Sequence, residues 1–223
     1  MSRLAEALTA LEAFSEDRVR DGMARYGIAT GEKVLGVAMA NIQKVAKRFA
    51  PDHALAATLW ESRVYEARLM TAYVDDPTLV TPEQMDAWTR QFDNWATCDT
   101  LCFRLFDRSP HAFEMVDRWA DDPAEFVKRT AFALLASLAA HDRKGLDEPF
   151  LARLPLIEAA ANDERNFVKK GVSWALRAIG SKKSPPLRAA ARTLADRLAA
   201  SPERSAQWVG RDAKKAFAKA DAR

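Results

Sequence analysis

Three stretches of the C-terminal half decide the fold: FVKRTAFALL (residues 126–135), FVKKGVSWAL (167–176) and WVGRDAKKAF (208–217), each 41 residues after the previous one. A period of this length is typical of helical-pair repeats that stack side by side around a continuous core. The last copy is the most polar, as a terminal repeat should be. We therefore predict an all-α fold, a HEAT-like helical-repeat solenoid.

Equivalent positions of the three copies predict the core and one charged surface. The predicted core positions are Val127, Val168 and Val209, together with Leu135, Leu176 and Phe217. Another slot is basic in every copy and holds Arg129, Lys170 and Arg211. Because a helix turns by about 100° per residue, this slot lies roughly 200° from the apolar residue two positions later. Equal slots of a solenoid share one surface, so we expect a basic stripe on a concave face; an ordinary solvated helix face is the alternative.

Upstream of Asp122 the period fades, but helical spacing continues. Helix starts are indicated where Thr81, Asp122 and Ser201 each precede a proline, because these side chains cap helices and proline favours the first turn. No long Pro/Ser-rich linker divides the chain. We therefore expect one domain, residues 1–223, with its clearest repeats starting near 126, 167 and 208.

The composition limits the classes of protein to which the chain can belong. Hydrophobic residues make up 48% and charged residues 29% of the 223 residues, which is ordinary globular composition and excludes a disordered chain. The longest uncharged stretch is too short to span a bilayer, and two cysteines cannot form a disulfide framework, so we expect no membrane association and a cytoplasmic location. Residues 161–183 hold six bases against two acids, a charge pattern expected of a phosphate-binding face; a solvated charged surface is the commoner explanation of a single run.

The candidate site lies in TPEQMDAWTRQFDNWATCDTLCFRLF, residues 81–106. Here residues at intervals of three or four are apolar or aromatic, with Asp99 as the exception. A carboxylate in such a stripe must be paired, must cap a helix that restarts near Thr100, or must face a functional cleft. Trp95, one helical turn earlier, can lie over Asp99, and an indole beside a carboxylate suits a cationic ligand.

Other site classes find little support. The three histidines lack ligand spacing, and Cys98 with Cys102 lacks a second pair of ligands, so we predict core thiols, no metal site and no cofactor. Trp174 lies one turn beyond Lys170 and either belongs to a functional surface or packs in the core.

The chain resembles the HEAT-like repeat DNA alkylation repair proteins, the AlkD-type alkylpurine DNA glycosylases. The segments that carry the resemblance, in order, are VLGVAMANIQKVAKRF, LWESRVYEARLMTAYVDD, FDNWATCD, FVKRTAFALL, DERNFVKKGVSWALR and RDAKKAF.

The resemblance implies a catalytic pair at Trp95 and Asp99, a second active-site tryptophan at Trp174 and a phosphate-contacting arginine at Arg129. It implies hydrolysis of the N-glycosidic bond of cationic purines such as 3-methyladenine and 7-methylguanine in duplex DNA, without base flipping. Alkylated duplex DNA is then the expected partner of a monomer that needs no protein partner. The chain departs from the family pattern at Val34, where an aromatic is common, and at Gly171, where alanine is usual.

Two other functions fit the same repeats. A family member can bind unusual DNA structures without excising a base, and many HEAT arrays are protein-binding scaffolds. Steep salt dependence of binding distinguishes the DNA-binding functions from the scaffold, and release of a methylated base distinguishes the enzyme from the DNA-structure binder.

Overall fold

The computed structural model describes residues 2–142, 145–182 and 184–222, and throughout these ranges the fold is all-α. Its helices are α1 (Arg3–Glu12), α2 (Asp17–Gly22), α3 (Met39–Ala46), α4 (His53–Glu61), α5 (Tyr65–Val74), α6 (Pro82–Thr89), α7 (Trp95–Arg104), α8 (Ala112–Trp119), α9 (Glu125–His141), α10 (Glu148–Leu151), α11 (Leu154–Ala160), α12 (Asn166–Gly180), α13 (Pro185–Ala199) and α14 (Arg204–Asp221). Short 3-10 helices cover Met23–Tyr26 and Phe106–Arg108. In place of a strand, the described ranges contain one isolated parallel β-bridge, between Lys33 and Val64.

The chain forms two compact units, Met1–Pro110 and His111–Arg223. The expectation of a single domain over residues 1–223 stays a prediction, and each unit is described by itself below. Lys183, which closes the basic run 161–183, lies outside the described residues. Within the described part of the chain, no helix is long and apolar enough to cross a membrane.

The C-terminal unit contains the three copies of the repeat as helices α9, α12 and α14. Helix α12 packs against both α9 and α14, and these helices pair with α8, α11 and α13. All six predicted core positions are buried: Val127, Val168, Val209, Leu135, Leu176 and Phe217. The residues two positions after the basic slot, Ala131, Val172 and Ala213, are also buried. The 41-residue period therefore corresponds to a continuous stack of helices.

The three segments in which a capping residue precedes a proline differ in where the following helix begins. Thr81 caps α6 as predicted, accepting a hydrogen bond from the Gln84 N–H at 3.2 Å, with Pro82 as the first helical residue. The Asp122 and Ser201 side chains instead accept from the N–H two residues later, at 2.9 and 3.2 Å. These local bonds close a turn around each proline, so α9 and α14 begin two residues later than predicted.

In the N-terminal unit, a buried carboxylate holds the loop 27–38 against α5. Glu66 accepts hydrogen bonds from the N–H groups of Leu35 (2.9 Å), Gly36 (2.7 Å) and Val37 (3.2 Å). Gly36 has a φ of +84°, and a Cβ there would lie 2.5 Å from the Glu16 carbonyl oxygen, so only glycine fits. The loop is thus fixed by one side chain that satisfies three backbone donors.

Candidate functional site

Helix α7 contains the predicted pair, Trp95 and Asp99, and its first turn shows that Asp99 does not cap a helix. The helix starts at Trp95, and the Asn94 side chain caps it by accepting a hydrogen bond from the Thr97 N–H at 3.0 Å. Asp99 is the fifth residue of a helix that continues to Arg104. The helix does not restart near Thr100, so the capping explanation for Asp99 is excluded.

The apolar stripe is divided between two helices. It runs along α6, through the turn 90–94 and along α7, with five buried members: Met85, Trp88, Phe92, Cys102 and Phe106. The remaining two, Trp95 and Asp99, are only half-buried. On a continuous helix, residues four apart are neighbours on one face. The two residues that leave the core are therefore the predicted pair.

Trp95 is fixed by a contact that the sequence did not indicate. Its indole Nε1–H donates to the Tyr26 carbonyl oxygen at 3.0 Å, across 69 residues of sequence. The Tyr26 side chain is 73% exposed, which is unusual for a large aromatic ring. This bond sets the indole plane and places an exposed aromatic residue in the neighbourhood of Trp95. Tyr26 follows no helical spacing, so periodicity could not have found it.

The start of α7 is also tied to the loop 27–38. The Asp93 carboxylate accepts from the Thr30 hydroxyl and the Gly31 N–H, both at 2.8 Å, through Oδ2. Its other oxygen accepts from the Asn94 side-chain amide at 2.7 Å. The residues that lead into α7 are thus held by hydrogen bonds, which limits the positions that Trp95 and Asp99 can take.

The two cysteines lie on the buried side of α7. Cys98 and Cys102 are fully buried and form no disulfide. Burial raises the pKa of the Cys102 thiol, and its contacts with Cys98 and the negative charge of Asp99 raise it further. The Cys102 thiol therefore stays protonated at neutral pH. No group of three His, Cys, Asp or Glu side chains in the described ranges could hold a metal ion.

In the C-terminal unit, the basic slot is not uniform. Lys170 and Arg211 are exposed, whereas Arg129 is only 6% exposed and donates from Nη1 to the Phe167 carbonyl oxygen at 2.8 Å. The structure differs from the expected even stripe because the long guanidinium side chain reaches the next repeat, where it bonds to the Phe167 carbonyl oxygen. Trp174 lies on α12, one turn after Lys170, and is half-buried.

A model of the DNA alkylation repair enzymes matches residues 7–217. The chain belongs to this family. No curated protein matches it. Among solved structures, this DNA alkylation repair family member is similar to a protein from "a new family of proteins related to the HEAT-like repeat DNA glycosylases with affinity for branched DNA structures". The TM-score is 0.76 at 18% identity, covering 87% of this chain and 83% of the other.

Two designed armadillo repeat proteins also match the repair family member. One, in complex with the peptide (KR)4, covers 97% of this chain and 100% of its own, with 15% identity and a TM-score of 0.46. The other covers 96% and 100%, with 16% identity and a TM-score of 0.41. The similarity to the glycosylase-related structure confirms the predicted fold, an all-α solenoid of HEAT-like repeats.

Proposed function

We propose that the protein is a monofunctional DNA glycosylase that hydrolyses the N-glycosidic bond of cationic alkylated purines, of the 3-methyladenine and 7-methylguanine type, in duplex DNA without base flipping. The observation that carries the proposal is the position of Asp99. It is a half-buried carboxylate inside α7, one turn from Trp95, in a helix already capped by Asn94. Family membership supports a DNA repair role for the protein.

The chemistry needs only a negative charge near the sugar. A purine alkylated at N3 or N7 carries a positive charge, so the bond from C1′ to the base can break with its electron pair passing to the base. No general acid is required. The deoxyribose becomes an oxocarbenium-like cation, which the Asp99 carboxylate stabilises. Water, oriented by a hydrogen bond that it donates to Asp99, then adds to C1′, and the proton that it releases passes to bulk solvent.

The tryptophans would act on the positive charges. The face of an indole attracts a cation, and this attraction strengthens when water is excluded. Trp95 is oriented for such a contact by its bond to the Tyr26 carbonyl. For Trp174, on α12, we propose a catalytic role because the resemblance implies it.

Basic side chains of the repeat would bind the DNA backbone. Lys170 and Arg211 are exposed, and phosphate contacts of this kind contribute affinity without sequence preference. Arg129 exposes little surface, and its guanidinium is oriented by the Phe167 carbonyl. We therefore propose that Arg129 contacts a nearby phosphate with a guanidinium whose orientation this hydrogen bond already fixes.

The test is Asp99→Asn in a single-turnover assay of 7-methylguanine release from duplex DNA. Asparagine keeps the shape but not the charge, so we expect the rate to fall by about 100-fold or more, with the helical circular dichroism and the DNA affinity retained. The matched control is Asp86→Asn, which removes a carboxylate from the neighbouring helix α6 and should leave the rate unchanged. Release by Asp99→Asn at the wild-type rate would contradict the assignment.

A second function is a non-catalytic protein that binds DNA structures. It is favoured by one observation, the affinity of the similar protein's family for branched DNA structures. It predicts that the wild-type protein releases no methylated base and binds a branched junction more tightly than a duplex. A protein-binding scaffold, by contrast, would show no steep loss of DNA affinity with salt.

A further inference from the structure

One side of α14 combines four cations with an exposed tryptophan. The residues are Arg204, Trp208, Arg211, Lys215 and Lys219, at intervals of four, three, four and four. This spacing places them on a single helix face, and all five are exposed. We call Arg204, Trp208, Arg211 and Lys215 the α14 basic face.

The charges of α14 divide into a paired and an unpaired set. On the side towards α13, Lys214 pairs with Asp196 at 2.7 Å, and Asp221 pairs with Arg192 at 2.8 Å. Asp212 is directed to α12, where it accepts from the Ser173 hydroxyl at 2.6 Å. Across the described ranges, no acidic side chain lies within ion-pair distance of the three cations of the α14 basic face. Their charge is therefore available to an anionic partner.

Trp208 ends a series of aromatic residues that follows the repeat. Phe126, Phe167 and Trp208 occupy the same slot, three residues before the basic slot. The rings of Phe126 and Phe167 lie 5.2 Å apart and are half-buried, whereas Trp208 is 39% exposed. The Lys169 ammonium lies 5.2 Å from the centre of the Trp208 ring. The last repeat thus presents a flat aromatic surface among cations.

We propose that the α14 basic face binds an unpaired segment of a DNA strand, with one base stacked on Trp208 and the flanking phosphates on Arg204, Arg211 and Lys215. Aromatic rings among cations are how proteins hold single strands without sequence preference. In an intact duplex each base is already stacked on its neighbours, so an exposed indole gains little from it. The proposal rests on DNA being the partner, as in the proposed function, but not on the chemistry of Asp99.

The first measurement compares a blunt duplex with the same duplex carrying a single-stranded overhang of about eight nucleotides, both labelled for fluorescence anisotropy. The wild-type protein should bind the overhang DNA more tightly. Trp208→Ala should weaken overhang binding about tenfold, the usual effect of losing one stacked base, and leave blunt-duplex binding unchanged. Trp208→Phe keeps an aromatic ring and should retain most of the affinity, which separates stacking from a folding defect.

The second measurement is the salt dependence of overhang binding. The double variant Arg204→Ala/Lys215→Ala should reduce the slope of log affinity against log salt by about 1.4, since each single-strand phosphate contact contributes about 0.7. Lys214→Ala is the matched control, because it removes a cation of the same helix that is already paired with Asp196. Its slope should equal that of the wild type.

Several results would overturn the inference: no preference of the wild type for the overhang, equal overhang affinity in Trp208→Ala and wild type, or equal salt slopes in the double variant and Lys214→Ala. Each of these leaves the glycosylase proposal standing if 7-methylguanine release depends on Asp99. Conversely, a Trp208-dependent preference together with wild-type release by Asp99→Asn would contradict only the glycosylase proposal. Absence of any DNA binding would overturn both.

Discussion

The two units hold their helices by different means. In the C-terminal unit, contacts recur at nearly one repeat length: Arg165 donates to the Pro123 carbonyl at 2.6 Å, and the Ser205 hydroxyl donates to the Asp163 carbonyl at 2.7 Å, each across 42 residues. In the N-terminal unit, the Glu66 and Asp93 side chains hold the loop 27–38 through hydrogen bonds whose sequence separations follow no period. A repeated junction tolerates change at one copy, whereas the candidate site helix depends on contacts that occur once.

The largest expected effect is at the buried carboxylate of the N-terminal unit. Glu66→Ala removes the acceptor of three backbone N–H groups and should lower the free energy of unfolding by about 3–5 kcal/mol. Glu66→Gln should lose less, because its carbonyl oxygen can keep the position of Oε1, which accepts from Gly36 and Val37. Denaturant unfolding measures both variants.

The matched change in the other unit is Glu158→Ala, which breaks an exposed ion pair with Arg197 at 2.7 Å. Exposed pairs contribute little to stability because water and salt screen the charges. If Glu158→Ala were as costly as Glu66→Ala, the contrast between the buried carboxylate of the N-terminal unit and an exposed ion pair of the C-terminal unit would be wrong.

Alanine substitutions at two glycines of the C-terminal unit should change the free energy of unfolding in opposite directions. A Cβ at Gly210 would lie 2.3 Å from the Ala199 nitrogen and 2.6 Å from the Ala195 carbonyl oxygen, so α13 and α14 would have to separate. We expect Gly210→Ala to lower the free energy of unfolding by about 1–3 kcal/mol. At Gly171 the nearest atom, the Arg129 carbonyl oxygen, would be 3.4 Å away.

Gly171→Ala therefore gains helix propensity without a clash and should raise the free energy of unfolding by about 1 kcal/mol. Thermal unfolding monitored by circular dichroism compares the two variants directly. A stabilised Gly210→Ala variant would show that the close approach of α13 and α14 is not required.

The smallest expected effect is the pH dependence of a repeat junction. Hydrogen bonds from Arg165 lower the pKa of Asp163 in the folded protein. Its contribution is therefore complete above its unfolded pKa of about 3.9 and is lost as the pH falls towards the lower folded value. Asp163→Asn should be less stable than wild type at neutral pH, by about 1 kcal/mol or less.

This difference in unfolding free energy should shrink below about pH 4, which urea unfolding at a series of pH values measures. A difference that stayed constant with pH would mean that the charge of Asp163 contributes nothing at the junction.

The sequence predicted the repeated helices and the unusual carboxylate, but it missed individual long-range hydrogen bonds. The period identified α9, α12 and α14 and their core, because stacked equivalents must share burial, as Val127, Val168 and Val209 do. The stripe in residues 81–106 singled out Asp99, because one carboxylate among apolar residues is unusual.

The bond from Trp95 to the Tyr26 carbonyl left no trace in the sequence, because a backbone acceptor carries no residue signature and lies 69 residues away. The burial of Arg129 was missed for a related reason. Spacing places a residue on a helix face, but the length of its side chain decides whether it reaches the next repeat.

The central claim is that the ionised carboxylate of Asp99 drives base release. The most direct measurement is the pH dependence of single-turnover 7-methylguanine release, corrected for spontaneous loss, over a range in which circular dichroism shows the protein folded. On the acid side of neutrality 7-methylguanine stays fully cationic, so an acid limb reports the enzyme. We predict that the wild-type rate falls with a slope of about one on logarithmic axes below an apparent pKa, and that the residual rate of Asp99→Asn shows no such limb. The same acid limb in both proteins would contradict the account.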